Sequence, residues 1–184
     1  STPIIWNDRI FLNVADETEL YLWCVDRNSG TALWKKHLGT GNTKMRKQNM
    51  SSPSPVTDGS HVWVLTGTGE LKAFDFSGKQ LWKRNLQADH GKFEIMWQYG
   101  ATSLLYKGRL YVPVIHGPTD EGADALSYLL CVDPNTGKDI WKHMRTTDAV
   151  HESKQAYSTP MPYEGPGGPM ILVSGGDYVT AHDP

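Results

Sequence analysis

The sequence predicts an all-β protein, a β-propeller built from four-stranded antiparallel blades. Three observations lead to this fold class. A turn motif recurs: Cys24-Val25-Asp26 runs through Gly30 to Trp34, Ala73-Phe74-Asp75 runs through Gly78 to Trp82 in a version one residue shorter, and Cys131-Val132-Asp133 runs through Gly137 to Trp141. A fourth start, Ala181-His182-Asp183, comes just before the last residue, Pro184. The four aspartates follow one another at intervals of 49, 58 and 50 residues, which is the period of a propeller blade. Finally, 18 glycines, 11 prolines, seven tryptophans and eight tyrosines in 184 residues suit many short strands joined by frequent turns.

The strands follow from this repeat, with copies spanning about 1–38, 51–86, 100–145 and 157–184 of a single partial propeller. In the first copy, Ser1 to Trp6 is an inner strand and Asn7-Asp8 a turn. Arg9 to Val14, Leu20 to Val25 and Ala32 to Leu38 are the next three strands. In the second, Ser52 to Val56 leads through the hairpin dipeptide Asp58-Gly59 to His61 to Leu65, then to Leu71 to Asp75 and Lys79 to Asn85. The third runs from Ala101 to Leu105 through Lys107-Gly108 to Arg109 to Val114. An acidic, glycine-rich insert from His116 to Ala125 is expected as a surface loop before the strand Tyr128 to Asp133. The fourth has Ser158 to Pro162, a turn at Gly165 to Pro169, and strands Met170 to Ser174 and Tyr178 to Asp183. Its outermost strand and tryptophan are absent, so the count is three complete blades and one partial.

Each motif residue has a physical role. The aspartate accepts hydrogen bonds from the turn's N–H groups, and the glycine adopts a left-handed conformation at no steric cost. The tryptophan lies on the outermost strand and is expected to insert between blades. Burying about 150–250 Å² there is worth about 4–6 kcal/mol as an upper bound. The structural set is thus Asp26, Gly30, Trp34, Asp75, Gly78, Trp82, Asp133, Gly137, Trp141 and Asp183. Cys24 and Cys131 share a repeat position that Ala73 and Ala181 fill in the other copies, so both read as small buried apolar groups. Two repeats apart, they are expected to exceed the roughly 7 Å Cα separation that a disulfide allows.

These residues carry a resemblance. The pattern Ala/Cys-x-Asp-x-x-x-Gly-x-x-x-Trp is similar to the tryptophan docking motif of quinoprotein-type propellers, the pyrroloquinoline quinone (PQQ)-like repeat family. The stretches TPIIWNDRIFL, SSPSPVTDGSHVWV and ILVSGGDYVTAHDP resemble secreted bacterial proteins of that family. The resemblance covers the whole chain. It implies a share of a seven- or eight-bladed ring and a periplasmic or secreted location. Relatives include quinoprotein alcohol dehydrogenases and an outer-membrane assembly lipoprotein. The dehydrogenases hold the quinone against a vicinal Cys-Cys disulfide and a calcium ion, with an aspartate as base. This sequence has no Cys-Cys pair and no Cys-x-x-Cys-His.

The expected function is therefore a non-catalytic binding or protein-interaction scaffold without a cofactor. The alternative is part of a PQQ- and calcium-dependent alcohol or sugar dehydrogenase. A net charge of −2 argues against nucleic acid as partner, and no run of 18 apolar residues is present to span a membrane. No P-loop, nucleophile elbow, His-Glu-x-x-His or dinucleotide fingerprint appears.

Propeller ligands are expected at the long blade-to-blade connections, here Gly39 to Met50, Gln87 to Tyr99 and Arg145 to Tyr157. Each ends in a polar or aromatic step before the inner strand, so Asn49, Trp97, Gln98, Tyr99, Gln155 and Tyr157, with Arg46, are the candidate ligand-binding residues for a small polar or sugar-like molecule. They compete with a reading in which the same groups hold the backbone. Lys44, Arg46 and Lys47 form a basic cluster that reads as a solvated loop. Asp89-His90 and His151-Glu152 are acid–imidazole neighbours, and His116 with Asp120, Glu121 and Asp124 offers oxygen ligands to a hard cation without matching a calcium-loop spacing. Blade faces at both ends are expected to meet further blades or a protein partner, including by self-association.

Overall fold

A computed structural model describes residues 1–46, 48–118 and 127–184. The first blade comprises β1 (Ile4–Trp6), β2 (Arg9–Asp16), β3 (Glu19–Asp26) and β4 (Ala32–Thr40). The second comprises β5 (Val56–Thr57), β6 (His61–Leu65), β7 (Glu70–Asp75) and β8 (Gln80–Asn85), followed by a short helix α1 (Leu86–His90). The third comprises β9 (Leu104–Tyr106), β10 (Arg109–Val114), β11 (Tyr128–Val132) and β12 (Asp139–Met144), and the last β13 (Met161–Gly165), β14 (Gly168–Gly175) and β15 (Tyr178–His182). Three sheets have four strands and one has three, each a meander in chain order with antiparallel pairing. The chain is an all-β partial propeller.

Successive blades face one another through separate apolar clusters. Phe11, Leu22 and Cys24 of the first blade meet Val62, Val64 and Phe74 of the second. The opposite face of the second, with Leu71 and Ala73, meets Leu110, Val112, Leu130 and Val132. Tyr111, Leu129 and Cys131 then meet Ile171 and Val173. Strand β11 is buried along its whole length because both its faces have a neighbouring blade. Cohesion is thus a chain of nearest-neighbour contacts, as in other repeat architectures. Cys24 and Cys131 are free and buried in different clusters.

The aspartate turns close as their chemistry dictates. Asp26 Oδ1 accepts from the Ser29 N–H at 2.7 Å and the Ser29 hydroxyl at 2.8 Å. Asp75 Oδ1 accepts from the Ser77 N–H at 2.8 Å and hydroxyl at 2.6 Å, and Asp133 from the Asn135 N–H at 2.8 Å and the Thr136 hydroxyl at 2.9 Å. Gly78 and Gly137 hold φ of 83° and 73° and carry the indole of the preceding blade. A Cβ on Gly137 would meet Trp82 Cε3 at 2.6 Å, and one on Gly78 would meet Trp34 Cδ2 at 3.0 Å. The same indoles donate to carbonyls in these turns, Trp34 to Phe76 at 3.1 Å and Trp82 to Pro134 at 2.8 Å. Trp63 joins the second acceptor at 2.8 Å, and Arg9 joins the first. Gly30 has the same conformation, φ 71°, with no atom within 4 Å of a Cβ placed there. Trp141 lies against Tyr111, centroids 5.9 Å apart, and stacks at 20° on His182. Asp183 follows β15.

The structure departs from the sequence-based expectation at the innermost strands. Pairing is confined to Val56–Thr57 and Leu104–Tyr106, later and shorter than Ser52–Val56 and Ala101–Leu105. Pro53 and Pro55 have no N–H to give a ladder, which accounts for the second blade. The inner segments bond from each blade to the next instead. Thr2 N–H donates to the Ser54 hydroxyl at 2.8 Å, Ser54 N–H to the Thr102 hydroxyl at 3.0 Å, and Thr102 N–H to the Thr159 hydroxyl at 3.3 Å. The Asp58-Gly59 hairpin is closed by Asp58, whose Oδ1 accepts from both Ser60 N–H at 2.8 Å and His61 N–H at 2.7 Å, beyond the last strand pair of Thr57 with Val62. In the last blade, β13 runs on to Gly165 and turns at Pro166-Gly167, so β14 begins at Gly168.

Replacing Trp82 with Ala is expected to cost about 3 kcal/mol in urea unfolding, from the lost burial of the indole and its lost hydrogen bond to Pro134 O, which keeps only Trp63 as donor. Gly137→Ala is expected to lower the unfolding midpoint more than Gly30→Ala. Both carry the left-handed backbone penalty of about 1 kcal/mol, but only the first drives a methyl into an indole. Turn hydrogen bonds hold the Asp75 carboxyl below its ordinary value of 3.8, the Ser77 hydroxyl contributing most. A depressed folded-state pKa adds stability that is complete above the unfolded value and lost as pH falls through the folded one. The stability difference between wild type and Asp75→Asn should therefore shrink in chemical denaturation series taken from about pH 5 to about pH 2.

Candidate functional site

The three long connections share one rim with the hairpin loops between each blade's two middle strands. Each connection is tied to the hairpin of the blade it leaves and of the blade it enters. Asn42 N–H and Nδ2 donate to the carbonyls of Thr18 and Glu17 at 3.0 and 2.7 Å, while Gly67 N–H donates to Met50 O at 2.8 Å. In the next connection, Gln87 Nε2 donates to Gly67 O at 3.3 Å and Gly117 N–H to Glu94 O at 3.0 Å. In the third, Ala156 N–H donates to Ile115 O at 3.1 Å and the Thr147 hydroxyl to Gly176 O at 2.5 Å. The second connection also holds α1, which the sequence did not signal. Asn85 caps it, its Oδ1 accepting from Ala88 N–H at 3.0 Å.

Most of the residues predicted to bind a ligand are brought together at this rim, where they bond to one another and to the backbone. Asn49 Oδ1 accepts from the N–H and hydroxyl of Ser51, both at 2.9 Å. Gln98, at φ 74°, donates through Nε2 to Thr43 Oγ1 at 3.0 Å and so ties the second connection to the first. Trp97 ties it to the third: its N–H donates to the Tyr157 hydroxyl at 3.3 Å and its indole to Glu152 at 2.9 Å. Gln155 is buried with both ends of its amide engaged. Its Oε1 accepts from Met96 N–H at 2.8 Å and its Nε2 donates to Gly117 O at 2.7 Å. Tyr99 lies in the core rather than at the mouth, 2% exposed, its hydroxyl donating to Pro113 O at 2.7 Å and its ring 4.7 Å from that of Phe93. Burial drives its phenol well above the ordinary range. Arg46 is exposed and lines an open groove of about 250 Å³ with Ser1, Lys44, Gln48 and Asn49. Lys47 lies outside the described residues.

The acid–imidazole neighbours separate. Asp89 and His90 join a bridge between blades in which Arg84 Nε donates to Asp89 at 2.8 Å, Arg84 also binds Asp139, and His90 Nε2 sits 3.1 Å from Asp139. Burial alone would lower the Arg84 pKa, but Asp139 and Asp89 outweigh it and raise it. Burial lowers that of His90, against the pull of Asp139. Glu152 serves the Trp97 indole, while His151 is exposed. His116 accepts the Glu94 N–H at Nδ1, at 3.1 Å. Asp120, Glu121 and Asp124 lie outside the described residues. Among the described residues no three His, Cys, Asp or Glu side chains converge as a metal site.

Two features escaped sequence reading. Arg145 is buried, with Nε donating to Thr180 Oγ1 at 2.8 Å and Nη2 to the carbonyls of Val173 and Gly175 at 3.2 Å each; burial lowers its pKa. Lys72 and Lys83 face the gap between the first two blades. Neither signal is visible without strand register.

A family model described as outer membrane protein assembly factor BamB matches residues 18–155. Solved structures resemble the chain at low identity. BamB from Moraxella catarrhalis is 17% identical, with 97% of this chain and 46% of that one covered, at a TM-score of 0.58. A europium-containing methanol dehydrogenase is 16% identical, with 79% of this chain and 25% of that one covered, at 0.56. The computationally designed Ika4 protein is 12% identical, with 97% and 87% covered, at 0.54. The chain thus spans less than half the length of the two natural proteins, and likeness at these identities concerns the fold. No curated protein matches.

Gln155→Leu leaves Met96 N–H and Gly117 O without their partner and is expected to destabilise by about 2 kcal/mol in urea unfolding. Arg46→Ala, on an exposed loop, is expected to stay within about 0.5 kcal/mol of wild type in the same measurement.

Proposed function

Because the chain belongs to the PQQ-like repeat β-propeller family, we propose that it is a non-catalytic, extracytoplasmic module that binds another protein through its connection rim. The observation that carries this reading is the inside-out character of that rim. Its amides and phenols turn inward to hold the connections, and each connection leaves an apolar side chain outward: Met45, Met96 and Val150, at 37%, 40% and 59% exposure. A pocket for a small polar ligand or cofactor would need the reverse. Recurrent exposed apolar groups framed by polar ones suit contact with a protein surface. The extracytoplasmic location is supported by the outer-membrane description of the family. No helix among the described residues is long and apolar enough to cross a membrane.

The rival reading is a portion of a quinone-dependent dehydrogenase. The described residues do not fit that group. Cys24 and Cys131 are buried in separate clusters, so they form no vicinal pair, and no acidic set converges to hold calcium. The tryptophans fit the family's docking role, since Trp34 and Trp82 each lie on the glycine turn of the next blade. The rim groove beside Arg46 and Asn49 is the place where a small polar ligand would add to, rather than replace, protein binding.

Photo-crosslinking from positions 45, 96 and 150 in cells exporting the chain to the periplasm is expected to give one recurrent protein adduct, absent from position 28 on the opposite rim. Adducts equally strong from position 28, or none, would overturn the scaffold reading. Incubation with PQQ and calcium should give neither quinone absorbance on the protein nor dye-linked alcohol oxidation; turnover would favour the dehydrogenase.

A further inference from the structure

Strand register places Lys72 of β7 directly opposite Lys83 of β8. Like charges facing each other across a strand pair destabilise a sheet. The neighbouring blades treat the same position differently. In the first blade the outer-strand lysine is Lys35, opposite Trp23, with its ammonium 3.7 Å from a Trp23 ring centroid. In the third it is Lys142, opposite Leu130 and 5.2 Å from the Tyr128 ring centroid. Only in the second blade, among the described residues, does a second ammonium take the apolar partner's place.

The two lysines line a cleft of about 410 Å³ between the first two blades. Its other wall is the end of β4, Leu38 to Thr40, and its polar lining adds Thr68 and Asn85. The matching position between the second and third blades holds α1 and the Arg84–Asp139 bridge, so that gap is filled. Lys72 has only 9% of its side chain exposed, and its nearest carboxylate, Glu70, is 3.6 Å away. Glu70 is shared, since its Oε1 also accepts from Asn85 Nδ2 at 2.8 Å. His37 lines the rim of the cleft but is paired with Glu19 at 2.6 Å. Two ammonium groups against one carboxylate leave a surplus positive charge in a partly desolvated cleft. Burial lowers the Lys72 pKa; Glu70 opposes this and Lys83 adds to it.

We propose that this cleft binds an anionic monosaccharide, with Lys72 and Lys83 on its oxyanion and Thr68 and Thr40 on its hydroxyls. The surplus charge calls for one anionic group. The volume exceeds what a bare ion needs and falls in the range of small-ligand pockets. The hydroxyl- and amide-rich lining suits a polar body rather than an apolar one.

Calorimetric titration of the whole chain in low salt with glucuronate, glucose 6-phosphate, inorganic phosphate and glucose tests this. One of the two anionic sugars should bind about tenfold more tightly than inorganic phosphate, while glucose gives no heat. Whichever sugar binds tells a carboxylate from a phosphate headgroup. Lys83→Gln should weaken binding about tenfold. Glu70→Gln should tighten it, because the built-in competitor for the Lys72 ammonium loses its charge; loss of a merely structural ion pair would not do so. Lys35→Gln should leave affinity unchanged. Absence of binding by both anionic sugars, equal binding of glucose, or equal weakening by Lys35→Gln would overturn the proposal.

Discussion

One contact sets the geometry of the first three blades: an indole from the outermost strand of one blade lying on a glycine in the turn of the next. The face of the ring needs a residue without a Cβ, and its N–H needs a carbonyl at the right height. The Asp-to-Gly turn supplies both, because the aspartate's hydrogen bonds fix the turn in which the glycine is left-handed and the intervening carbonyl points outward. The ring cannot slide without losing either the flat surface or the acceptor. Blade spacing and orientation follow from this, and the apolar clusters beneath fill the space it defines.

The parts of this contact were legible in the sequence because they recur in three copies, with the tryptophan always four residues after the glycine. The aspartate, the glycine and the tryptophan each have a physical reason to be what they are, and no other residue type serves as well. The strand order was legible for the same reason. The innermost strands were less so. Their prolines and hydroxyl residues were plain, but not that the chain there would bond sideways to the next blade instead of along its own. Helix α1 spans five residues, too few for a periodic signal, and rests on a single cap.

The rim shows where sequence reading reaches its limit. A run such as Trp97-Gln98-Tyr99 announces polar and aromatic groups but not the direction they face. In the fold Tyr99 turns into the core, Gln98 reaches sideways to Thr43, and Trp97 leans on the following connection. Buried amides need partners, and the backbone of a neighbouring loop is the nearest source. The rim is thereby stiffened by its polar residues and left with apolar ones to present. The Lys72–Lys83 pair was hidden for a related reason: the two lysines are eleven positions apart, and only the register of the hairpin brings them face to face.

The hydroxyl bonds among Thr2, Ser54, Thr102 and Thr159 all run in one direction, each N–H giving to the blade that follows. The inner surface therefore has a polarity, a donating end and an accepting end, like a row of magnets laid head to tail. Two such surfaces cannot be joined through a two-fold axis by this device, because like ends would meet. Any continuation of the pattern, within one polypeptide or between several, is heterologous, and its natural outcomes are a closed circle or an open helical array.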